Sequence, residues 1–394
     1  MKRRSLSYVL ITPYTVAKSR TGGVLSRLLS RLDLELIGVQ MIAPDKAFAE
    51  KYADHIQHLE DTSNPWAADL LADYIRANLG PYGGRPHRAL LLLFQGEEPC
   101  KKLSDICGAL YAKNRSIESV TGETIRDTYA DLIFNPEDPN DVIYFEPAVL
   151  TPRRQSIADE NIKLFGDFLK TQNNIVENMV YQYPERIERT LVIIKPDNWA
   201  HASAKPGTIL DMFSRTGSRI IGMKILRMSV AQAMDFYQPL RTSLKSKYAM
   251  AIGTKAKEIL ESEFNMPLSD ALPEVLAKGF GSEYAEDQFQ QVIEFMTGVR
   301  GDECPFEDLQ SPGTVKCMAL VYEGEHAVEN VREVLGPTDP TKAPGGTIRR
   351  EFGSNIMVNS AHASNSLENA GREMKIAEVE KNACADILTL YLTL

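Results

Sequence analysis

The residues best suited to chemistry lie late in the chain. The run Asn359-Ser360-Ala361-His362-Ala363-Ser364-Asn365-Ser366 sets one histidine among small and polar residues. It stands directly before residues 367–376, whose apolar spacing predicts a helix with Ser366 as its N-cap. A neutral imidazole is nucleophilic near pH 7, so histidine is a natural covalent carrier. A helix N-terminus favours anions, which suits both an incoming phosphate and a phosphorylated imidazole. The competing reading is a solvated or core histidine, one of six in the chain. Phosphates also need cations of fixed geometry, and arginine offers a planar fork of donors. Arg332 falls in the last turn of a predicted helix over 326–335 that Gly336 ends, and Arg349 follows the Gly345-Gly346 turn. Lys195 ends a short β-branched strand. His55 and His58 have a metal-pair spacing, but their polar helical stretch reads as a solvated face. No Gly-x-x-x-x-Gly-Lys-Ser/Thr loop occurs, which argues against a P-loop kinase.

The elements that must position these residues occur twice. Ser7-Tyr8-Val9-Leu10-Ile11-Thr12-Pro13 resembles Thr190-Leu191-Val192-Ile193-Ile194-Lys195-Pro196. Each is a strand ended by proline and followed by an amphipathic segment, 24–32 or 209–215. Second strands follow at 36–41 and 220–225, and third strands at 89–94 and 318–322. Gly122-Glu123-Thr124-Ile125-Arg126 then echoes Gly345-Gly346-Thr347-Ile348-Arg349. Four matching blocks in one order indicate a tandem duplication. The order within each copy is that of a ferredoxin-like βαββαβ unit, with an antiparallel sheet carrying helices on one face. The predicted class is therefore α+β, with two such domains, 1–175 and 186–394. The polar stretch 173–187 reads as the linker, whose first part could extend the closing helix of the first copy.

Composition sets the outer bounds. The 394 residues are 43% hydrophobic and 25% charged, ordinary for a globular chain with a sizeable core. Met1-Lys2-Arg3-Arg4 faintly imitates a signal peptide, but the apolar part is short and reads as the first strand. No apolar run approaches the length of a membrane helix. Five cysteines form no CxxC pair, and a reducing cytoplasm is expected. The net charge of −9 has the wrong sign for a nucleic-acid binder, so an anionic substrate must be drawn by a local cluster of cations.

Residues 188–197, 345–352 and 359–370 together resemble the nucleoside diphosphate kinase family. The late block is the specific part: Gly-Thr-Ile-Arg, then seven residues, then Asn359 through Ser366. The resemblance implies ping-pong transfer of a terminal phosphate from a nucleoside triphosphate to a diphosphate through His362. It implies that Glu373 orients the imidazole and that Lys195 lies near the transferred phosphate. Arg332, Arg349 and Thr338 match phosphate-binding positions, Asn359 the ribose contact, Ser364 the serine beside the histidine, and Tyr237 a tyrosine near the site. It also implies Mg²⁺ bridging the nucleotide phosphates, nucleotides as partners, and a homo-oligomer. Transfer to a protein or other acceptor, and a non-catalytic nucleotide-sensing scaffold, are the alternatives.

The pattern departs in two places. Between Tyr237 and Val315 the second copy carries extra sequence, around 243–312, and Gln288 stands where the family stacks a phenylalanine on the base. Tyr248, Phe280 and Tyr284 are candidate substitutes; Asn365 and Arg350-Glu351 are lesser departures. The first copy has Thr12 in place of Lys195 and Leu150 near the histidine position. It reads as a degenerate partner of the second.

Overall fold

The computed structural model describes residues 5–59, 65–110, 122–138 and 141–393. In the first half, β1 (Ser5–Ile11), α1 (Pro13–Ala17), α2 (Thr21–Arg31), β2 (Glu35–Ile42), α3 (Lys46–Leu59) and α4 (Pro65–Asn78) lead to β3 (Ala89–Gly96). Then come α5 (Pro99–Cys107), α6 (Ile125–Tyr129), the hairpin β4 (Asp131–Phe134) and β5 (Val142–Glu146), β6 (Val149–Leu150) and α7 (Gln155–Leu169). The second half opens with β7 (Ile187–Ile194), α8 (Lys205–Phe213) and β8 (Arg219–Leu226). A helical stretch follows: α9 (Val230–Phe236), α10 (Gln238–Ser243), α11 (Ala249–Phe264), α12 (Leu272–Leu276) and α13 (Ser282–Thr297). The half closes with β9 (Cys317–Glu325), α14 (Ala327–Leu335), α15 (Ile348–Phe352), β10 (Ala361–Ala363), α16 (Leu367–Ile376) and α17 (Ala383–Thr393). No described helix is long and apolar enough to cross a membrane.

Two four-stranded sheets carry one topology. Their orders, β2-β3-β1-β6 and β8-β9-β7-β10, are the same once the separate β4–β5 hairpin is set aside: second, third, first and last strand of each half. This is the α+β, antiparallel, ferredoxin-like arrangement that the repeat predicts. The registers fix the correspondence between halves. Leu10 pairs with Leu91 and Leu150, as Ile193 pairs with Ala319 and His362. Helices were expected on one face only, but the first sheet is covered on both. Val9 and Ile11 point into a core shared with the second half, whereas Leu6, Tyr8 and Leu10 pack under α3, α4 and α7 with Phe48, Tyr52 and Phe165. The reason lies in the strands: residues 89–94 are apolar at every position, the mark of a strand buried on both sides.

Contacts divide the chain around the helical insertion and not between the halves. One compact unit holds residues 1–225 and 318–394, and the other holds 226–317. Within the first unit, α2 packs on α8 with almost no space between their backbones. A Cβ on Gly22 would lie 2.5 Å from the Gly207 carbonyl oxygen, and one on Gly207 2.4 Å from that of Gly22. Only glycine permits this approach. Each half also covers the outer edge strand of the other. Helix α7 stops at Leu169 and does not extend into the linker. The following residues instead run along β8: Ile175 bridges Gly222, and the Val176 N–H donates to the Ile221 carbonyl at 2.8 Å. In return, α17 packs on β2 and α7, with Cys384 against Gly38. In the second unit, α13 carries Phe289, Ile293 and Met296 into a small core with Ala233 and Phe236 of α9, and Glu286 bonds Arg241 through both oxygens, at 2.9 and 2.8 Å.

Candidate active site

Strand β10 places His362 opposite Ile193, and α16 lies against β7. Ser366 caps α16 by accepting the Asn369 N–H at 3.1 Å, which sets the helix phase and turns Glu373 inward. The eleven-residue offset between His362 and Glu373 is thereby closed in space. Their atoms Nε2 and Oε2 are 2.8 Å apart, and the Ser364 hydroxyl donates to the same Oε2 at 2.6 Å. Burial would raise the Glu373 carboxyl, but the bonds from His362 and Ser364 outweigh it and hold it below the usual range. An ionised Glu373 accepts a hydrogen bond from Nε2–H, and that tautomer puts the imidazole lone pair on Nδ1. The His362 side chain keeps 22% of its surface exposed, enough for a ligand to reach it.

A second cluster stands beside the first. Lys195, just beyond β7, donates from Nζ to Asn359 Oδ1 at 2.6 Å and to the Met357 carbonyl at 3.2 Å. The Asn359 amide donates in turn to the Ile356 and Thr338 carbonyls at 2.7 and 3.1 Å. Burial, reinforced by the charge of Arg349, pushes the Lys195 ammonium down to about 7, and Asp197 opposes the shift. Arg349 itself is buried and holds the backbone on both sides: Nη1 donates to Gly336 at 2.9 Å and Nη2 to Ala361 at 3.1 Å. It thus ties the end of α14 to the strand that bears His362.

The predicted residues divide into three groups. His362, Glu373 and Ser364 form one hydrogen-bonded trio, and Lys195, Asn359 and Arg349 pack around the same strand end. Arg332 and Thr338 lie exposed, with no side-chain hydrogen bond or ion pair among the described residues. Arg332 lines an open groove with Glu188, His326, Glu329, Glu333 and Asn365. Tyr237 belongs to the helical unit, where it is buried at the end of α9. Gln288 is half-buried there, and Tyr248, Phe280 and Tyr284 are exposed. Asn198 was not anticipated. It is buried, and its amide donates to the carbonyls of Lys195 and Ser360 at 3.0 and 2.8 Å, joining the turn after β7 to the strand of His362. Ser360 has a left-handed φ of 70°, unusual for a side-chain-bearing residue. Only its position directly after Lys195-Pro196-Asp197 could have drawn attention to Asn198.

The first half shows the same frame with different contents. Leu150 occupies the register position of His362, and Ala148 repeats the left-handed φ, at 61°. The Thr12 hydroxyl, the Tyr74 hydroxyl and the Ala148 N–H all donate to a buried Glu146, at 2.8, 2.6 and 2.9 Å. A carboxylate raised by burial thus stands where the second half gathers cations. Arg126 is the exception. It makes the same bonds as Arg349, to the glycine that ends the preceding helix (Gly108) and to the closing strand (Val149, 2.8 Å). His55 bonds Asn161 at 3.3 Å while His58 is exposed.

The family resemblance of the second half has a counterpart among known proteins. A model of the family "Nucleoside diphosphate kinase" matches residues 188–253 and 277–381, the stretch that holds every residue of the two clusters. A nucleoside diphosphate kinase of Chlamydia abortus is 30% identical over 188 residues, 48% of this chain and 90% of that protein. Those of Chlamydia pneumoniae and Nitratiruptor sp. are 31% and 32% identical over the same length, covering 88% and 93% of their chains.

Proposed function

The chain belongs to the nucleoside diphosphate kinase family, and from that premise we propose that its second half moves the terminal phosphate of a nucleoside triphosphate onto His362 and then onto a nucleoside diphosphate. The observation that carries this reading is the trio of His362, Glu373 and Ser364 inside the matched stretch. Nδ1 attacks the terminal phosphorus, the bond to the bridging oxygen breaks, and the diphosphate leaves with those electrons. The second half-reaction reverses the first with a different diphosphate as acceptor. Glu373 holds the proton of Nε2 and balances the positive charge that grows on the ring. Lys195 and the exposed Arg332 supply charge to the phosphates, and Thr338 and Asn359 offer polar contacts beside them.

Arg349 acts differently from the other cations. Two of its donor groups already hold the backbone, so its first role is to fix the His362 strand. Among the described residues no three His, Cys, Asp or Glu side chains form a metal-binding group. In this reading Mg²⁺ enters the reaction with the nucleotide substrate, bridging its phosphates. Incubation with terminally labelled ATP is expected to give an acid-labile phosphoenzyme that chases to added diphosphates. His362→Ala should remove the label, and a stable label in that variant would refute the assignment.

A further inference from the structure

The geometry points to a second ligand site, a pocket for a small organic anion between the two halves of the first unit. A cavity of about 410 Å³ opens there, between the turn after β1 and the turn that leads into β8. That is within the usual size of a small-molecule pocket. Two guanidinium groups line it, Arg88 and Arg219. Arg88 donates through one N–H to the Ile220 carbonyl, and burial together with the nearby charge of Arg219 holds it down to about 10, still charged at neutral pH. Arg219 donates to the Val180 carbonyl at 3.0 Å and lies over the Tyr181 ring. Glu323 attracts Arg88 but is bonded to Arg189 at 2.5 Å. Tyr322, 1% exposed, and Ser218 complete the lining, each with its hydroxyl packed behind the wall. Both hydroxyls are buried without a hydrogen-bond partner. An unsatisfied buried hydroxyl is costly, and two beside a pair of cations call for an acceptor.

The internal repeat supplies the control. By strand register the counterpart of Tyr322 in the first half is Phe94, and Leu34 meets Gly96 as Ser218 meets Gly324; both Phe94 and Leu34 are buried in the core. The fold is therefore satisfied by apolar side chains at these positions. The counterpart of Arg219 is Glu35. On the cavity wall stands Val16, three residues after Pro13, whereas Trp199 stands three after Pro196 and packs on the core. The corresponding positions of the other crevice are thus bulky, apolar or acidic, whereas this one is cationic and bordered by Tyr322 and Ser218. Its polar head suits a phosphate or carboxylate, and apolar walls such as Leu210 and Met179 suit an attached hydrocarbon or ring.

The test uses the full chain, with saturating ADP and Mg²⁺ to occupy the His362 cleft. The probes are 4-fluorophenyl phosphate and 4-fluorobenzoate, followed by ¹⁹F relaxation. The wild-type chain is expected to bind at least one probe, and the stronger one identifies the head group. Val16→Trp, which copies Trp199 and fills the cavity wall, and Arg219→Glu, which copies the first half, should each abolish binding. Tyr322→Phe should weaken it about tenfold. Variant melting curves establish that each folds, and Arg219→Glu alone suffices if Val16→Trp does not. Failure of the wild-type chain to bind either probe at millimolar concentration would overturn the proposal. So would undiminished binding by the folded variants. Neither result depends on phosphoryl transfer at His362, whose labelling is read separately.

Discussion

Arg126→Ala perturbs an arginine in the half that has no histidine to serve. Its guanidinium is buried and bonds the Gly108 and Val149 carbonyls, with a longer contact to Pro147 at 3.3 Å. Hydrogen bonds involving a charged partner contribute about 1.5–3 kcal/mol each. Removing the two strong ones, and leaving their carbonyls buried, should cost about 3–6 kcal/mol. That is a large share of the 5–15 kcal/mol that holds typical domains. Urea titration followed by far-ultraviolet circular dichroism measures the change. The midpoint should fall steeply, with labelling at His362 retained under conditions where the chain stays folded. Arg349→Ala makes the informative pair. It should lose a comparable amount of stability, since Gly336 and Ala361 are held in the same way, and lose phosphoenzyme formation besides. A loss below about 0.5 kcal/mol in Arg126→Ala would refute the bracing role in both halves, because that value is what an ordinary surface change produces.

Four other outcomes are expected. Lys195 titrates near 7 when its phosphate neighbour is absent, so at pH 8 nucleotide binding should take up nearly one proton as the phosphate restores the ammonium; calorimetry in buffers of different ionisation heat reads this, and no uptake would refute it. The same depressed value means the unfolded chain binds the extra proton between about pH 7 and 10.5, so this group's contribution to stability rises with pH across that window. Ser364→Ala and Glu373→Gln each weaken a hydrogen bond to a buried charge, which at about 1.5–3 kcal/mol predicts His362 phosphorylation slower by one to two orders of magnitude, measured by rapid quench. Gly207→Val places a side chain against the backbone of Gly22 and Ser26 and should cost about 3 kcal/mol in denaturant melts, whereas an unchanged midpoint would contradict the close approach of α2 and α8.

The sheets and the grouping of His362, Ser364 and Glu373 were legible in the sequence because their signals are local. Alternating and β-branched runs ended by proline mark β1 and β7, and Ser366 with the periodicity after it marks α16. Leu150 could be matched to His362 because the closing strands lie at corresponding places in two repeats. The features that escaped depend on what meets from far away in the chain. Gly38 and Gly222 align in the second strands, yet nothing in their spacing says that Cys384 and Ile175 lie against them. The hairpin β4–β5 was missed because its apolar runs are short and lie outside the repeated blocks. Arg126 was legible as a survivor, but its purpose appears only where its donors meet carbonyls of two separate elements. Tyr237 and the substitutes for the base-stacking residue lie in the second compact unit, 226–317, where the repeat offers no second copy to compare.

The reciprocal covering of β2 and β8 has a consequence for how the two halves depend on each other. Separate subunits that shield one another's edge strands come apart on dilution, and their stability varies with concentration. Here the partner is joined through the chain, so its effective concentration is set by the connection and not by the cell. One half can then change its contents freely, provided it keeps the surfaces on which the other rests. Leu150, Thr12 and the carboxylate of Glu146 mark what was free to change; Gly22, Gly38 and Arg126 mark what was not. Expressed alone, the second half would expose the edge of β8 and the buried face of α8, and it should aggregate before it could be assayed.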